Sequence, residues 1–298
     1  MEEAGERTRQ VKIGGLLLVI LAALFWGLSG GLGGYLMEEG WDPLVITFYR
    51  GFIGLICVSI WLMIKPVSFN KKMLLWSGIA GLGVTGNFIF YFVSISEGSI
   101  AVAATLMYTA PIFVMLASFM FKLEQATLFK WMAILSIMIG VALMTEIYDV
   151  DSEGITLVGI ATGLGAGVSY ALFLFGFKYA AKNGEPQGIL TIAFLLFSIV
   201  TPFFIDGDEA VSAITSSDMI WMVLLGILGA GLSFILYIYG LERTSPTGAS
   251  VSAMVEPVTA SLFGVLVMSE QLEWLQLVGM AIILTTVTTL SVKKAQEQ

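Results

Sequence analysis

Residues 247–269 read TGASVSAMVEPVTASLFGVLVMS, a stretch that predicts a helix crossing a lipid bilayer. It is apolar and exceeds the roughly 20 residues that the hydrocarbon core requires at about 1.5 Å per residue. A carboxylate and a proline, Glu256-Pro257, lie near its middle. A charge at that depth costs roughly 2.5–3.5 kcal/mol on insertion scales. We therefore expect Glu256 to face a partner or a water-filled cavity.

An earlier stretch, residues 101–123, repeats this pattern as AVAATLMYTAPIFVMLASFMFKL, with Pro111 standing 146 residues before Pro257. The same offset holds without a gap over a long run. It pairs Gly83 with Gly229, Phe88 with Phe234, Tyr91 with Tyr237, Ser99 with Ser245, Ala103 with Ala249, Leu116 with Leu262, Glu124-Gln125 with Glu270-Gln271, and Val141 with Val287. The chain therefore divides into two related halves. Only the second carries the carboxylate, because Ala110 stands where Glu256 does.

The composition predicts an all-α integral membrane protein. The 298 residues are 57% hydrophobic and 12% charged, against about 25% charged in soluble domains. The first apolar run, 13–36, exceeds the roughly 7–15 residues of a signal-peptide core and is interpreted as a retained span. The pattern predicts ten transmembrane helices over residues 13–36, 43–64, 73–95, 99–121, 127–146, 155–179, 187–205, 219–241, 247–269 and 272–291.

The charged residues fit this count because they segregate to opposite ends of the spans. Apart from Arg50, all lysines and arginines lie in the loops or near the ends of spans on one side, namely Arg7, Arg9, Lys12, Lys65, Lys71, Lys72, Lys122, Lys130, Lys178, Lys182, Arg243, Lys293 and Lys294. The other side collects acidic residues. The positive-inside rule then places both termini in the cytoplasm.

Five spans in each half is an odd number, so the second half must enter the membrane from the opposite side. We therefore predict two inverted five-helix repeats, residues 1–146 and 155–291. Inverted repeats are typical of secondary transporters, whose substrate sites lie near the bilayer midplane between the repeats. Channels and enzymes can also be duplicated. Glycines at helical spacing, Gly27, Gly31, Gly159, Gly163 and Gly167, predict close helix packing.

Glu256 is the principal functional candidate. In a desolvated interior it could exchange a proton or pair with a cationic substrate. The alternative is a structural ion pair, or a neutral acid held by a hydrogen bond at a kink. Pro111 and Pro257 predict helix kinks, and because proline lacks a backbone N–H, the carbonyl of Ala253 is expected to lose its partner.

Arg50 is the only cation predicted away from the end of a span, roughly 10 Å deep at about 1.5 Å per residue. It could clamp a substrate carboxylate with its fork of donors or pair with Glu256. The alternative is snorkelling to the outer headgroups.

Polar and aromatic residues predict the lining of a site for a small organic solute. They are Trp26, Ser29, Asn87, Tyr91, Tyr108, Ser169, Tyr170, Ser233 and Tyr237. Taken one at a time, each is better explained by core packing or interface anchoring, and only the set as a whole favours a lining. With no histidine, one cysteine (Cys57) and no phosphate-binding loop, we expect no metal site, no cofactor and no enzymatic activity.

Leu24-Phe25-Trp26-Gly27 and Arg50 open a pattern that continues with Ala103, Ala104, Pro111 and Glu124 in the first half, and with Ala249, Pro257 and Glu270 in the second. In its order and spacing this pattern resembles the EamA family of the drug/metabolite transporter superfamily. The resemblance implies a carrier of the bacterial inner membrane, often an exporter of amino acids or other small metabolites. It does not identify the substrate.

These observations predict a secondary transporter that moves a small-molecule substrate by alternating access, with protons as the candidate coupling ion. A facilitative channel or uniporter is the alternative, and an intramembrane enzyme is a third class. The lipid bilayer is the expected surrounding, no nucleic acid is expected as a partner, and the assembly is a monomer or a homodimer.

Overall fold

The computed structural model describes residues 2–150 and 155–296, and all the regular structure in these ranges is helical. The α-helices are α1 (Glu2–Glu38), α2 (Pro43–Ile64), α3 (Lys71–Ser96), α4 (Ile100–Met107), α5 (Ala110–Met120), α6 (Leu128–Met144), α7 (Leu157–Ala181), α8 (Pro186–Val200), α9 (Gly207–Thr215), α10 (Met219–Gly226), α11 (Ser233–Arg243), α12 (Pro246–Ser252), α13 (Val255–Val267) and α14 (Trp274–Gln296). Short 3₁₀ turns cover Ile147–Asp149 and Thr201–Phe203, and a π-helix covers Ile227–Leu232.

Eight helical segments in the described ranges are long and apolar enough to cross a membrane, so the prediction of an all-α, multi-pass membrane protein is confirmed. They are Gly14–Glu38, Pro43–Ile64, Lys71–Ser96, Ile100–Met120, Leu157–Ala181, Pro186–Phe203, Met219–Arg243 and Pro246–Val267. The predicted fifth and tenth spans correspond to the shorter apolar helices Leu128–Met144 and Trp274–Leu290. The count of ten crossings and their inverted arrangement stay predictions.

The loops contain the local signals that start the spans. Asp42 caps α2 by accepting hydrogen bonds from the backbone N–H groups of Leu44 and Val45. Ser99 caps α4, and its counterpart Ser245 caps α12 in the same way. Such side-chain acceptors satisfy the free N–H groups of a first turn. The cap is thus repeated at the 146-residue offset.

The two spans that have a proline near their middle, Pro111 and Pro257, are each broken just before that proline. The first break separates Met107 from Ala110, and the second separates Ser252 from Val255. The expectation that the Ala253 carbonyl lacks a partner is wrong, because it accepts a hydrogen bond of 2.9 Å from the N–H of Glu256. The tighter turn of the break satisfies this carbonyl locally.

The helices of each half pack mainly on helices of the other half, in corresponding pairs. Helix α1 packs on α11 and α13, while α7, its counterpart in the second half, packs on α3, α4 and α5. Helix α2 packs on α10 and the π-helix, and correspondingly α8 packs on α3. Helices α6 and α14 pack on each other, as do α2 and α8. Each half therefore uses the other half as its main packing partner.

The predicted close packing at glycines is confirmed at the helix crossings. A Cβ atom at Gly27 would lie 2.5 Å from the backbone oxygen of Glu256, and one at Gly163 would lie 2.7 Å from a side-chain carbon of Leu106. A Cβ at Gly83 would overlap the backbone nitrogen of Phe173. These glycines let the backbones of neighbouring helices touch.

The turn between α5 and α6 carries a buried ion pair. Glu124, whose side chain is 7% exposed, lies 2.8 Å from Lys130 Nζ and accepts a hydrogen bond of 2.9 Å from the backbone N–H of Thr247. Burial opposes ionisation of Glu124, but the hydrogen bonds from Lys130 and Thr247 outweigh it and lower the pKa of this carboxyl below its ordinary value. Glu124 therefore joins the first half to the start of α12.

A substitution that adds one methyl group at Gly83 tests the close packing. We expect Gly83→Ala to lower the thermal unfolding midpoint in detergent, since overpacking costs roughly 1–3 kcal/mol. The matched control is Gly78→Ala in the same helix, because a Cβ there meets nothing within 4 Å. Equal midpoints for the two variants would contradict the packing at Gly83.

The ion pair at Glu124 predicts a pH-dependent stability. Because its pKa is lower in the folded protein than in the unfolded chain, its contribution is present above the unfolded value of about 4.3 and is lost as pH falls through the folded value. We expect Glu124→Gln to be less stable than the native protein by roughly 1.5–3 kcal/mol at pH 7, with the difference shrinking as the pH falls below about 4.3.

The measurement is the thermal midpoint in detergent at several pH values. Glu270→Gln is the control, since Glu270 is the exposed counterpart of Glu124 at the 146-residue offset. A difference between native protein and Glu124→Gln that stays constant from pH 7 down to about pH 3 would contradict the assignment.

Candidate functional site

A cavity of about 390 Å³ lies between the two halves. Its walls come from α1, α2, α3, α4, α7 and α13, together with α10 and α11 on either side of the π-helix. At one end it reaches residues next to the loops, Met37, Pro43 and Ile100. At the other end it stops at the rings of Phe173 and Phe234. It therefore opens toward one face of the bundle only.

The cavity brings together most of the predicted site residues. Eight of them line it, namely Trp26, Ser29, Arg50, Asn87, Tyr91, Tyr108, Tyr170 and Glu256. Tyr237 does not line the cavity but lies behind it, fully buried, with its ring 4.7 Å from that of Trp26. Residues from distant parts of the sequence thus share one site, and their role in binding stays a prediction.

Arg50 points across the bundle. Its Nε and NH2 atoms donate hydrogen bonds of 3.2 and 3.1 Å to the backbone oxygen of Gly229, and its guanidinium carbon lies 5.2 Å from the centre of the Phe88 ring. These contacts hold the head group in the cavity wall, which favours a binding role over snorkelling to the headgroups.

Gly229 lies within the π-helix, and the lack of a side chain there is required. A Cβ at Gly229 would overlap the hydroxyl of Ser29 and would lie 2.8 Å from Arg50 Nε. In a π-helix the backbone bonds run from residue i+5 to residue i, and such segments are frequent at functional sites. The wider turn occurs where a side chain from another helix contacts the backbone.

Glu256 lies in the first turn of α13, where a negative charge is favoured by the helix dipole. Its side chain is half-buried and lines the cavity. In the part of the chain that the structure describes, the only ion pair is Lys130–Glu124, and no hydrogen bond engages the Glu256 carboxylate. Arg50 and Glu256 therefore face the same cavity, and no contact ion pair joins them.

Polar groups on the remaining walls are arranged by helix contacts. Asn87 donates a hydrogen bond of 2.9 Å to the backbone oxygen of Ala166, which fixes its amide between α3 and α7. Tyr91 and Tyr108 are half-buried on the cavity wall, and Tyr108 occupies the break between α4 and α5. The break thus places a phenol at mid-span.

An aromatic cluster closes the inner end of the cavity. The Trp26 ring centroid lies 5.1 Å from that of Phe234, and the Tyr170 centroid lies 4.4 Å from that of Phe173. Phe173, Phe234 and Phe88 were not predicted as site residues. The pairing of Phe88 with Phe234 at the offset of 146 residues was a signal for two of them.

Hydrogen bonds from charged side chains hold the helices together beyond this cluster, on the side away from the opening. Lys178 Nζ donates hydrogen bonds of 2.6 Å to the backbone oxygens of Leu241 and Thr244. The Glu124 carboxylate holds the N–H of Thr247, as described above. Two charged side chains therefore hold the turn between α11 and α12. Sequence reasoning missed Lys178 because it was counted among the loop cations.

Several known proteins are similar to this chain. An uncharacterized transporter of Archaeoglobus fulgidus is 30% identical over 275 residues, which cover 90% of this chain and 93% of the relative. The uncharacterized transporter YwfM of Bacillus subtilis is 25% identical, with 92% and 93% covered. The uncharacterized inner membrane transporter YicL of Salmonella typhimurium is 24% identical, with 93% and 95% covered.

The fold is also found among solved structures. One crystal structure superposes with a TM-score of 0.73 at 16% identity, covering 95% of this chain and 98% of the other. The sequence profile of the EamA-like transporter family matches twice, over residues 13–146 and 157–292. The resemblance seen in the sequence is thereby confirmed, and the chain belongs to the EamA-like transporter family.

Proposed function

We propose that this protein is a secondary transporter that carries a small organic solute through the cavity by alternating access. The observation that supports this proposal most strongly is a cavity between the two halves that is lined by both a cation, Arg50, and an anion, Glu256. No contact ion pair joins the two. The exchange of packing partners between the halves supports the inverted-repeat arrangement. The aromatic cluster at the inner end favours a carrier over an open channel, because the cavity does not run through the bundle.

The proposed location is the bacterial inner membrane. The proposed orientation places both termini in the cytoplasm. The segregation of lysines and arginines to one side supports it. In that orientation the cavity faces outward, because its opening lies near the turn at Gly40 and the loop at Gly98. The name of the Salmonella relative, an inner membrane transporter, fits the same location.

The proposed solutes are amino acids or similar small metabolites, moved out of the cell. A carboxylate on the solute would bind the fork of donors on Arg50, and an amine would bind Glu256. A cavity of about 390 Å³ falls within the roughly 300–1,000 Å³ of small-molecule sites. Export, rather than uptake, rests on the family resemblance.

Glu256 would couple transport to protons. A carboxylate without a partner in a low-dielectric cavity is stabilised either by a cationic group or by protonation. A solute amine and a proton would therefore compete for the same group. Such competition links the movement of one to the movement of the other.

Replacement of Glu256 tests the coupling. Purified protein is placed in liposomes loaded with a pH-sensitive dye, and amino acids, polyamines and lipophilic cations are added outside. The native protein is expected to give a solute-dependent pH change, and Glu256→Gln is expected to reduce it at least tenfold, because glutamine cannot exchange a proton. Exposed Glu273→Gln serves as the matched control.

Two outcomes count against coupling. The first is an equal pH change for native protein and Glu256→Gln. The second is solute entry without a pH change in either protein, which would indicate a uniporter or exchanger and leave Glu256 a structural role.

Replacement of Arg50 tests the carboxylate clamp. We expect Arg50→Met to weaken apparent affinity for a carboxylate-bearing solute roughly tenfold or more, since hydrogen bonds to charged groups contribute about 1.5–3 kcal/mol. The amide derivative of the same solute should be affected much less. Arg50→Lys keeps the charge but loses the fork, so it should give an intermediate value. Equal losses for acid and amide would rule out the clamp.

A further inference from the structure

The 146-residue offset relates the wall of the open cavity to a second surface. Asn87, Phe88, Tyr91, Ile95 and Tyr108 line the cavity on α3 and at the α4–α5 break. Their counterparts are Ser233, Phe234, Tyr237, Leu241 and Met254. These lie on α11 and at the α12–α13 break, in the corresponding positions. The second half therefore carries a surface of the same design.

The two surfaces differ in burial. Phe88, Tyr91, Ile95 and Tyr108 are half-buried, with part of each side chain free toward the cavity. Ser233, Tyr237, Leu241 and Met254 are 0% exposed. In this structure one surface lines an opening, and its counterpart is closed by packing.

The closed surface contains polar atoms that are not satisfied by this packing. Ser233 Oγ has no hydrogen-bond partner within the described residues. The hydroxyls of Tyr237 and Tyr170 face each other, and neither reaches a further hydrogen-bond partner within the described residues. A buried polar group without a partner is destabilising and calls for an explanation. These hydroxyls would be explained by a second arrangement of the bundle in which water or solute reaches them.

The contacts that hold the helices together at the two ends of the bundle also correspond at the 146-residue offset. Glu124 binds the N–H of Thr247 on the closed side. The counterparts of these two residues are Glu270 and Ala101. Glu270 is exposed, its carboxylate lies against Gly264, and the N–H of Ala101 has no hydrogen bond in the described ranges. The contact between Glu124 and Thr247 is thus formed on the closed side, whereas the equivalent contact between Glu270 and Ala101 is absent on the side of the opening. We call these two contacts the latches.

We propose that Ser233, Tyr237 and Leu241 line a second cavity for the same solute, which opens on the opposite side when Glu124 releases Thr247 and Glu270 binds the N–H of Ala101. This proposal rests on the proposed function. Lys178 must release the Leu241 and Thr244 carbonyls in the same step, because it holds the same turn. The hydroxyls of Ser233 and Tyr237 then take the place of Asn87 and Tyr91 as polar contacts of the solute.

Chemical labelling of two equivalent positions tests the proposal. Single cysteines are placed at Ile95 and at its counterpart Leu241, in full-length protein whose native thiol is removed by Cys57→Ser. A membrane-impermeant, positively charged thiosulfonate is added to one or the other face of oriented vesicles. Ile95→Cys is expected to react from the face of the opening, and Leu241→Cys from the opposite face.

The two latch residues should shift this labelling in opposite directions. Glu124→Ala removes the latch that is closed here, so it should raise the labelling rate at Leu241→Cys roughly tenfold and lower that at Ile95→Cys. Glu270→Ala should do the reverse. A general loss of packing would move both sites in the same direction. Lys178→Met, which should act like Glu124→Ala, is used if Glu124→Ala fails to fold.

The proposal is overturned if Leu241→Cys is unreactive from both faces in every variant, or if Glu124→Ala and Glu270→Ala shift the rates in the same direction. Solute flux by the native protein is measured separately. Flux together with an unreactive Leu241→Cys refutes the second cavity alone. Opposite shifts without flux of any tested solute leave the two cavities standing and refute the proposed function.

Discussion

The cost of a charge in a low-dielectric bundle is the constraint on which this structure depends. Arg50 and Glu256 lie within membrane-spanning helices, and no contact ion pair joins them. Arg50 is satisfied by the carbonyl of Gly229 and the face of Phe88, while Glu256 depends on the cavity itself. The cavity is therefore needed to keep the two charges hydrated in the absence of solute. Helix breaks, small residues and the π-helix are the local means of keeping that space open.

Much of the fold could be predicted from hydropathy and the internal offset. The apolar runs gave the spanning helices to within a few residues, since lipid forces the backbone to satisfy its own hydrogen bonds. Ser99 and Ser245 marked equivalent helix starts. The shorter apolar segments Leu128–Met144 and Trp274–Leu290 show the limit of hydropathy, because an apolar run in the sequence does not fix whether its helix is long enough to cross the membrane. The extra helix α9 was not predicted, since Gly207–Thr215 is too short to give a clear signal.

The site was less accessible to sequence reasoning. Polar residue types within apolar spans identified Arg50, Glu256 and the tyrosines, because such residues are rare there. The partner of Arg50 could not be found in this way, since a backbone carbonyl is present at every position and only packing selects Gly229. Ala253 was misjudged for a related reason: a proline predicts a lost α-helical bond, but not the tighter turn that replaces it. Tyr237 was assigned to the lining by its type, whereas its ring packs behind Trp26.

The π-helix at Ile227–Leu232 makes the two halves unequal. Its counterpart, residues 81–86, lies in the continuous α-helix α3. Because a π-helix closes its bonds over five residues rather than four, the same number of residues turns through a smaller angle. Exchanging the roles of the halves would thus produce a related arrangement, not an identical one. Two arrangements that are not related by an exact twofold rotation have different free energies, so the empty protein has a preferred resting side, and a concentration gradient acts on a cycle that is already biased.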